Sequence, residues 1–268
     1  MVQRKRSDAA AGGSSVDAGA SSAVGKAFAV LKTLRHASGA LTLTVIAEEI
    51  GVAPSSAHSI LGHLLAEGAV TQLPDKRYLL GPQLFYLGAS FARGTPIYRS
   101  TWMELVSAAA DLGVTAAVAV PWDGHHLILN SHRAGESEVA IPFGGRVPLA
   151  AASWGKVYYA WSGEAPPEEL GKYTSVSITD PTVFAEAVAE AKRLGYGIDE
   201  GEFFDGVGGA CAPVTSVYGY EGLASFIAPL PRVETIDAHV LGRRLAAITA
   251  RASLALGDSD RFKFFGVE

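Results

Sequence analysis

The chain has 268 residues, of which 49% are hydrophobic and 18% are charged, and its formal net charge is −5. These values are typical of a soluble globular protein with one large domain or two smaller ones. They exclude a helical membrane protein, because no apolar run reaches the roughly 18 residues of a membrane span.

Charge is distributed unevenly along the chain. Residues 1–93 carry 9 Lys/Arg and 6 Asp/Glu, a net +3, whereas the remaining 175 residues carry 13 and 21, a net −8. A mildly basic first part and an acidic second part indicate two separate tasks. The single cysteine, Cys211, excludes an internal disulfide and favours a reducing, cytoplasmic compartment.

The first 21 residues are basic and then rich in Gly, Ala and Ser, without the apolar stretch of a secretory signal. Their composition predicts a disordered tail over 1–21. The alternative is a basic arm in which Arg4, Lys5 and Arg6 contact phosphates.

Three helical patterns follow the tail. The first spans 22–36, and the second, "TLTVIAEEIG", begins at Thr42 or Thr44 and ends at Gly51. The third begins at Pro54, whose fixed φ suits a first helical residue, and ends before Gly68. A turn of about four residues between the second and third helices predicts a helix-turn-helix.

The segment "AVTQLPDKRYLLG" predicts two strands, Val70–Leu73 and Arg77–Leu80, on either side of a Pro74-Asp75 turn. A hairpin directly after a helix-turn-helix makes a winged helix. Its tip carries Lys76 and Arg77, and 82–93 then predicts a connecting helix.

The second half alternates between helices and strands. Its three longest helices are predicted at Ile97–Leu112, between the Asp180 cap and Gly195, and from about Ile236 to Leu256. A further helix is predicted over Ala151–Trp161. The predicted strands are "TAAVAVPW", "HLILNS", "EVAIPF", "YGIDEGEF", "GACAPVTSV" and "GLASFIAPL". Helices packed on a mostly antiparallel sheet define an α+β domain.

The order of these parts, together with four stretches, resembles the IclR family of bacterial transcriptional regulators. The stretches are "GKAFAVLKTL", "LTLTVIAEEIGVAPSSAHSILGHLLAEGAVTQLPDKRYLLGPQLFYLG", "GRVPLAAASWGK" and "AEAKRLGYGIDEGEFFDGVGGACAPV". The resemblance covers about 22–257 and implies an α+β architecture of three parts. They are a winged helix-turn-helix DNA-binding domain (22–81), a linker helix (82–96) and a GAF-like effector-binding domain with an antiparallel sheet (97–257). A C-terminal tail (258–268) is expected after them.

The helix that starts at Pro54 is expected to read DNA with its N-terminal turns, where Ser55, Ser56, His58 and Ser59 stand. The family pattern usually has an arginine where Ser59 stands, and no Lys or Arg occurs between His36 and Asp75. We therefore expect Lys76 and Arg77 of the wing to contact phosphates, with Lys26, Lys32 and Arg35 of the first helix. The alternative is a purely structural role, in which Ser55 and Ser56 only cap the helix.

The resemblance also implies an effector pocket in the acidic part. Matching the family motifs places six contact residues at Ser153, Trp154, Asp199, Gly209, Cys211 and Ser225. Trp154 is large where small residues are common, and Ile227 is apolar where a hydroxyl often occurs, so an apolar or aromatic acid is the expected effector. Simple core packing of Trp154 and a buried strand thiol at Cys211 are the alternatives.

Two further patterns concern catalysis and metals. "SWGK", from Ser153 to Lys156, matches the S-x-x-K motif of serine β-lactamases, but the S-D-N and K-T-G elements do not occur. Strand alternation places His126 and His132 on one face of the strand and His125 on the other. His126 and His132 are then about 20 Å apart, too far to bind one metal ion. The sequence thus predicts no enzyme, no metal site and no cofactor.

These features predict a cytoplasmic regulator that binds a double-stranded DNA operator as a dimer or tetramer, and whose affinity changes with a small organic effector. No membrane partner is expected. The alternative is a small-molecule sensor whose winged helix mediates protein contacts rather than specific DNA binding.

Overall fold

A computed structural model describes residues 22–135 and 137–259. The predicted tail 1–21 and its basic residues Arg4, Lys5 and Arg6 lie outside this range, as do residues 260–268. The chain divides into two compact units, the first extending to Phe91 and the second beginning at Ala92.

The first unit is a three-helix bundle with a hairpin. Its elements are α1 (Ala23–His36), α2 (Leu43–Glu49), α3 (Pro54–Ala66), β1 (Val70–Gln72) and β2 (Tyr78–Leu80). Ser22 caps α1 by accepting the Gly25 N–H, and Thr42 caps α2 by accepting the Val45 N–H. The buried core consists of Val30, Leu34, Ile46, Leu61, Val70 and Tyr78. The predicted helix-turn-helix and wing are confirmed.

The helix α4 (Pro82–Gly94) follows the wing. Only Ala92 of this helix is buried, whereas Phe85, Tyr86, Leu87 and Phe91 are each more than half exposed. Exposed apolar residues on this scale are a common feature of interaction surfaces.

The second unit contains a six-stranded antiparallel sheet in the order β5-β4-β3-β8-β7-β6. Its strands are β3 (Thr115–Trp122), β4 (His125–Arg133), β5 (Arg146–Pro148), β6 (Gly197–Phe204), β7 (Val207–Ser216) and β8 (Gly219–Pro229). Its helices are α5 (Pro96–Leu112), α6 (Ala152–Trp161), α7 (Pro181–Leu194), α8 (Leu230–Ile236) and α9 (Ala238–Ala255). The predicted α+β fold is confirmed.

The two faces of this sheet have separate cores. One face, with Val118, Ala212 and Phe226, packs against the long helices α5 and α9. The other face carries a smaller core of Ala117, Ala119, Ile128, Cys211 and Leu223, on which α6 lies with Trp154 and Val157. Since α6 covers only part of this second face, space is left there for a ligand.

The strand predicted for "EVAIPF" is wrong. Residues 138–143 form no strand, and the hydroxyls of Thr115 and Ser131 bind this segment instead, by donating to the carbonyls of Val139 (2.6 Å) and Ile141 (2.5 Å). These long-range side-chain bonds satisfy the backbone where a neighbouring strand would otherwise do so.

The predicted histidine alternation is also wrong. The β3–β4 pairing shifts between Val118 and Ala119, because Val118 faces Asn130 while Ala119 faces Ile128. This β-bulge inserts Leu129 and reverses the alternation, so that His125 and His132 share a face and His126 lies on the other. No group of three metal-ligating side chains occurs in the parts of the chain described, 22–135 and 137–259.

His126 supports α6 from the sheet. Its ring is fully buried and meets the rings of Trp154 and Tyr158 edge-on, each at 5.6 Å between centroids. Nε2 lies 3.3 Å from the carbonyl of Leu149, and the buried Nδ1 has no hydrogen-bond partner among the described residues. Burial lowers the pKa of His126 to about 4, so its ring is neutral at physiological pH.

This burial predicts a pH-dependent stability. The folded-state pKa of His126 lies below the value of about 6.5 for an unfolded chain, so the unfolded chain binds the proton first as the pH falls. We expect about 3 kcal/mol of the free energy of unfolding to be lost between about pH 6.5 and about pH 4. Urea unfolding across this range should show a smaller loss in His126→Phe.

The control is His132→Gln, which removes a half-buried histidine of the same strand. Its stability should depend on pH as in the wild type. An unchanged pH dependence in His126→Phe would contradict the assignment.

Candidate functional site

The N-terminal turns of α3 are open to solvent. Ala53 is the N-cap residue and provides no side-chain hydrogen bond, so the first N–H groups of the helix are free of a side-chain cap. Ser55, Ser56, His58 and Ser59 are all exposed. The alternative that Ser55 and Ser56 cap this helix finds no support in the cap geometry. A helix start with exposed hydroxyls and N–H donors can bind phosphate oxygens and base edges.

The exposed face of α3 continues beyond the predicted residues. Gly62 and His63 are exposed one turn further along, and a side chain at Gly62 would meet no atom within 4 Å. Helical spacing of three to four residues from His58 and Ser59 is the signal that could have identified them.

The wing presents its two cations differently. Lys76 is exposed at the turn and has a left-handed φ of 65°, whereas the exposed Arg77 donates to the Asp75 carboxylate at 2.7 Å. The hydrogen bond from the Arg77 side chain lowers the pKa of Asp75, so this carboxylate stays ionised and offsets part of the Arg77 charge. Lys76 is therefore the freer cation at this tip. Lys32 and Arg35 of α1 are also exposed, while Lys26 is half-buried.

The second unit contains a cavity of about 460 Å³ between α6 and the second face of the sheet. That volume suits a small organic molecule. Its walls are formed by 139–147, the start of α6, the β6–β7 turn and residues of the sheet strands. The apolar side chains among them are Ile128, Val139, Ala140, Ile141, Pro142, Val147, Phe203, Phe204, Val207 and Ile227.

Four of the six predicted effector residues line this cavity, namely Ser153, Trp154, Asp199 and Gly209. Cys211 and Ser225 do not line it within the described part of the chain; both are fully buried in the adjacent strands. The Cys211 thiol donates to the carbonyl of Ser153 at 3.1 Å, and burial raises its pKa. The buried Ser225 hydroxyl has no hydrogen-bond partner among the described residues.

The start of α6 supplies the donors of the cavity. Its N-cap residue, Ala151, makes no side-chain hydrogen bond, and Ala152 has a strained φ of 46°. The Ser153 hydroxyl and the Trp154 indole N–H make no hydrogen bond within the described residues. Free helix N–H groups beside a hydroxyl and an indole favour a ligand with an acceptor oxygen.

Gly209 stands opposite this helix start, on β7. A Cβ there would collide with the carbonyl of Phe226, so only glycine fits. In the sheet register, Gly209 lies between Asp199 and Ile227, and all three face the cavity. The ligand can thus approach the strand backbone closely.

A buried ion pair holds α6 against β6. The Lys156 Nζ lies 2.5 Å from Glu202 Oε1 and donates to the Ile198 carbonyl at 2.8 Å. The neighbouring Asp199 accepts the N–H groups of Gly201 and Glu202 at 3.0 and 2.8 Å. Burial raises the pKa of Glu202 and Asp199, and the Lys156 charge opposes this effect.

This arrangement accounts for the S-x-x-K pattern. The amine of Lys156 is directed at Glu202 and Ile198, and no hydrogen bond joins it to Ser153 within the described residues. Such a lysine cannot take a proton from the Ser153 hydroxyl as a general base, because a base must lie within hydrogen-bond reach of the proton.

The wall residues of 139–142 and the phenylalanines Phe203 and Phe204 were missed by the sequence analysis. The pair "FF" at the end of a predicted strand was the available signal. No sequence signal indicated the wall 139–142, because its position depends on hydrogen bonds from the distant residues Thr115 and Ser131.

Among the residues that the structure describes, none of the helices has the length and apolar character needed to cross a membrane.

Comparisons with known proteins cover both units. The model of the IclR helix-turn-helix domain matches residues 23–74, and the model described as "Bacterial transcriptional regulator IclR C-terminal" matches residues 98–228. The HTH-type transcriptional regulator BhcR of Paracoccus denitrificans is 29% identical over 91% of this chain and 90% of its own length. The glycerol operon regulatory protein of Streptomyces griseus is 30% identical over 70% of this chain and 77% of its own.

Solved structures share the fold. The IclR transcriptional regulator of Alicyclobacillus acidocaldarius has a TM-score of 0.68 at 27% identity and covers 91% of this chain and 98% of its own. An IclR homologue of Microbacterium hydrocarbonoxydans, solved with 4-hydroxybenzoate, has a TM-score of 0.72 at 21% identity and covers 89% of this chain and 100% of its own.

The relatives are transcriptional regulators, which is a non-enzymatic class of protein. The helix-turn-helix model matches the first unit of the structure, and the C-terminal model matches the second. The chain belongs to the IclR family of bacterial transcriptional regulators.

Proposed function

We propose that this regulator binds an operator as a dimer or a dimer of dimers, and that a small organic effector in the second unit changes its affinity for DNA. The observation that carries the proposal is the presence, in one chain, of an exposed helix start without a side-chain cap and of a largely apolar cavity. A ligand-responsive regulator needs both a surface that binds DNA and a cavity that binds the ligand. The domain boundaries at 22–81, 82–96 and 97–257 belong to the same proposal.

Electrostatics support binding of the first unit to DNA. The reading helix contributes hydroxyls and the partial positive charge of its N-terminus, whereas cations come from Lys76 of the wing and from Lys32 and Arg35 of α1. Phosphate contacts by these cations supply affinity, and the face with Ser56 and Ser59 supplies preference for a sequence.

The linker helix supports self-association. A helix of 13 residues with Phe85, Tyr86, Leu87 and Phe91 exposed gains stability by packing against an equivalent apolar surface. A two-fold copy of the chain provides such a surface, and a dimer places two reading helices on two half-sites of an operator.

The cavity supports an effector with an aromatic ring and an acceptor oxygen. Trp154 lines the cavity beside the helix start, and the other walls are largely aliphatic or aromatic. A ring can pack on the indole while an oxygen receives the N–H groups of α6.

DNA binding is tested at the wing. Lys76→Asn removes the charge while keeping a residue that tolerates a left-handed φ. In fluorescence anisotropy with the DNA upstream of the gene, it should weaken binding to operator and random DNA alike and reduce the salt slope by about one. Ser59→Ala should instead change the preference between the two DNAs.

Lys172→Asn, an exposed lysine of the second unit, is the control with the same change of charge. It should bind DNA as the wild type does. Equal, weak and salt-insensitive binding to both DNAs would favour the alternative function, a sensor whose winged helix contacts proteins.

The effector class is tested by thermal shift. We expect 4-hydroxybenzoate to raise the Tm of the second unit more than glyoxylate does, because it fills the apolar cavity. Trp154→Ala should abolish most of this shift, whereas Trp122→Ala, at an exposed tryptophan outside the cavity wall, should retain it. Stabilisation by glyoxylate alone, unchanged in Trp154→Ala, would contradict an aromatic effector.

A further inference from the structure

We propose that Asp199 selects the charge of the effector: an aromatic carboxylate enters the cavity together with one proton, which Asp199 takes, whereas an uncharged analogue enters alone. The inference rests on the proposed effector function and assigns a role to one residue of that site. It follows from the balance of charges around the cavity.

The described cavity wall has a single cationic residue, and its guanidinium is bound outside the cavity. Arg146 is the only Lys or Arg among the described lining residues, and it stands in register with Leu127, on the opposite face of the sheet. Its guanidinium lies 5.2 Å from the Trp122 ring centre, and Nη2 donates to the Asp123 carbonyl at 3.0 Å and to its carboxylate at 3.2 Å. Nη2 of Arg146 is thus bound at the β3–β4 turn, where it also lies 2.8 Å from His125 Nδ1, while the buried Nε has no hydrogen-bond partner among the described residues.

The buried cluster beside the cavity has one carboxylate in excess. Lys156 is matched by Glu202 at 2.5 Å, and Asp199 is held through Oδ1 by two backbone N–H groups. Asp199 faces the cavity with Gly209 and Ile227, because the three are in register on adjacent strands. When all three side chains of the cluster are ionised, the cavity wall carries a negative charge.

The other titratable groups near Asp199 do not balance that charge. Glu200 is exposed and follows it on β6, Asp205 lies on the exposed β6–β7 turn, and the buried Cys211 thiol on β7 is neutral. Burial raises the pKa of Asp199, while Lys156 from α6 lowers it. Asp199 is therefore the group of the wall that can accept a proton when a second anion arrives.

The balance of the step is simple. A carboxylate ligand brings one negative charge into an apolar cavity, where charges interact more strongly than in water. One proton passes from solvent to the Asp199 carboxylate, so that the wall and the ligand share a single negative charge. No bond of the ligand is broken, and an amide of the same shape needs no proton.

Linkage fixes the sign of the pH dependence. The bound carboxylate raises the pKa of Asp199 above that of the free protein, so affinity is greatest at low pH and falls as the pH rises through the free-state pKa. Between the free and bound pKa values, the Kd of the carboxylate increases about tenfold per pH unit. The Kd of the amide stays constant.

The test is isothermal titration calorimetry of the full chain with 4-hydroxybenzoate and 4-hydroxybenzamide, from about pH 6 to about pH 8. Buffers with different ionisation enthalpies count the protons taken up. We expect proton uptake with the carboxylate, approaching one proton at a pH between the free and bound pKa values of Asp199, and none with the amide in the wild type. Asp199→Asn should bind the carboxylate without pH dependence and at least about tenfold more tightly than the wild type at pH 8.

Asp205→Asn is the control, because it removes a carboxylate of the cavity rim and should leave proton uptake unchanged. Absence of proton uptake in the wild type, or equal weakening of both ligands by Asp199→Asn, would overturn the role of Asp199. Binding of the amide with loss in Trp154→Ala would then still support the proposed effector site. Failure of the wild type to bind either ligand would overturn both proposals.

Discussion

The buried contact between Lys156 and Glu202 is the interaction on which the second unit depends. It joins α6 to β6 at 2.5 Å, and the same amine also binds the Ile198 carbonyl, so the helix is fixed against the edge strand. Neither charge is favourable alone in this position, because an unpaired buried ion costs several kcal/mol. The cavity lies between the start of this helix and the sheet, so the ion pair contributes to holding the two walls of the cavity in place.

The two units use charge in opposite ways. In the first unit, cations stand on α1 and at the tip of the wing, while α3 has no cation and offers exposed hydroxyls and an N-terminus without a side-chain cap. A polyanion can be held by the periphery and read by the helix. In the second unit the wall of the cavity carries one carboxylate in excess, and the proposed proton uptake by Asp199 would make binding depend on the charge of a small ligand. Apolar contacts, in contrast, set its size.

Local signals in the sequence predicted most of the fold. Pro54 starts α3, Thr42 caps α2, and Asp180 with Pro181 and Gly195 bounds α7, because caps and turns depend on neighbouring residues only. The wrong predictions concern segments whose structure depends on residues distant in the sequence. The bulge at Leu129 reverses the strand alternation, and residues 138–143 are bound by side chains instead of a strand. Motif matching correctly predicted four residues of the cavity wall. Cys211 and Ser225 lie on the same face of the sheet, and only the packing of the structure shows that they are buried outside the wall. The sheet register, in turn, places Arg146 opposite Leu127, on the other face.

The most direct test of this account is a double-mutant cycle on Lys156→Met and Glu202→Gln, measured by urea unfolding with 4-hydroxybenzoate binding as a second readout. Each single variant should lose about 3 kcal/mol of the free energy of unfolding, because it leaves an unpaired buried group, and should bind the ligand weakly. The double variant should lose less than the sum, with a coupling energy above about 1 kcal/mol. Strictly additive losses with ligand binding unchanged in all three variants would contradict the dependence of the cavity on this ion pair.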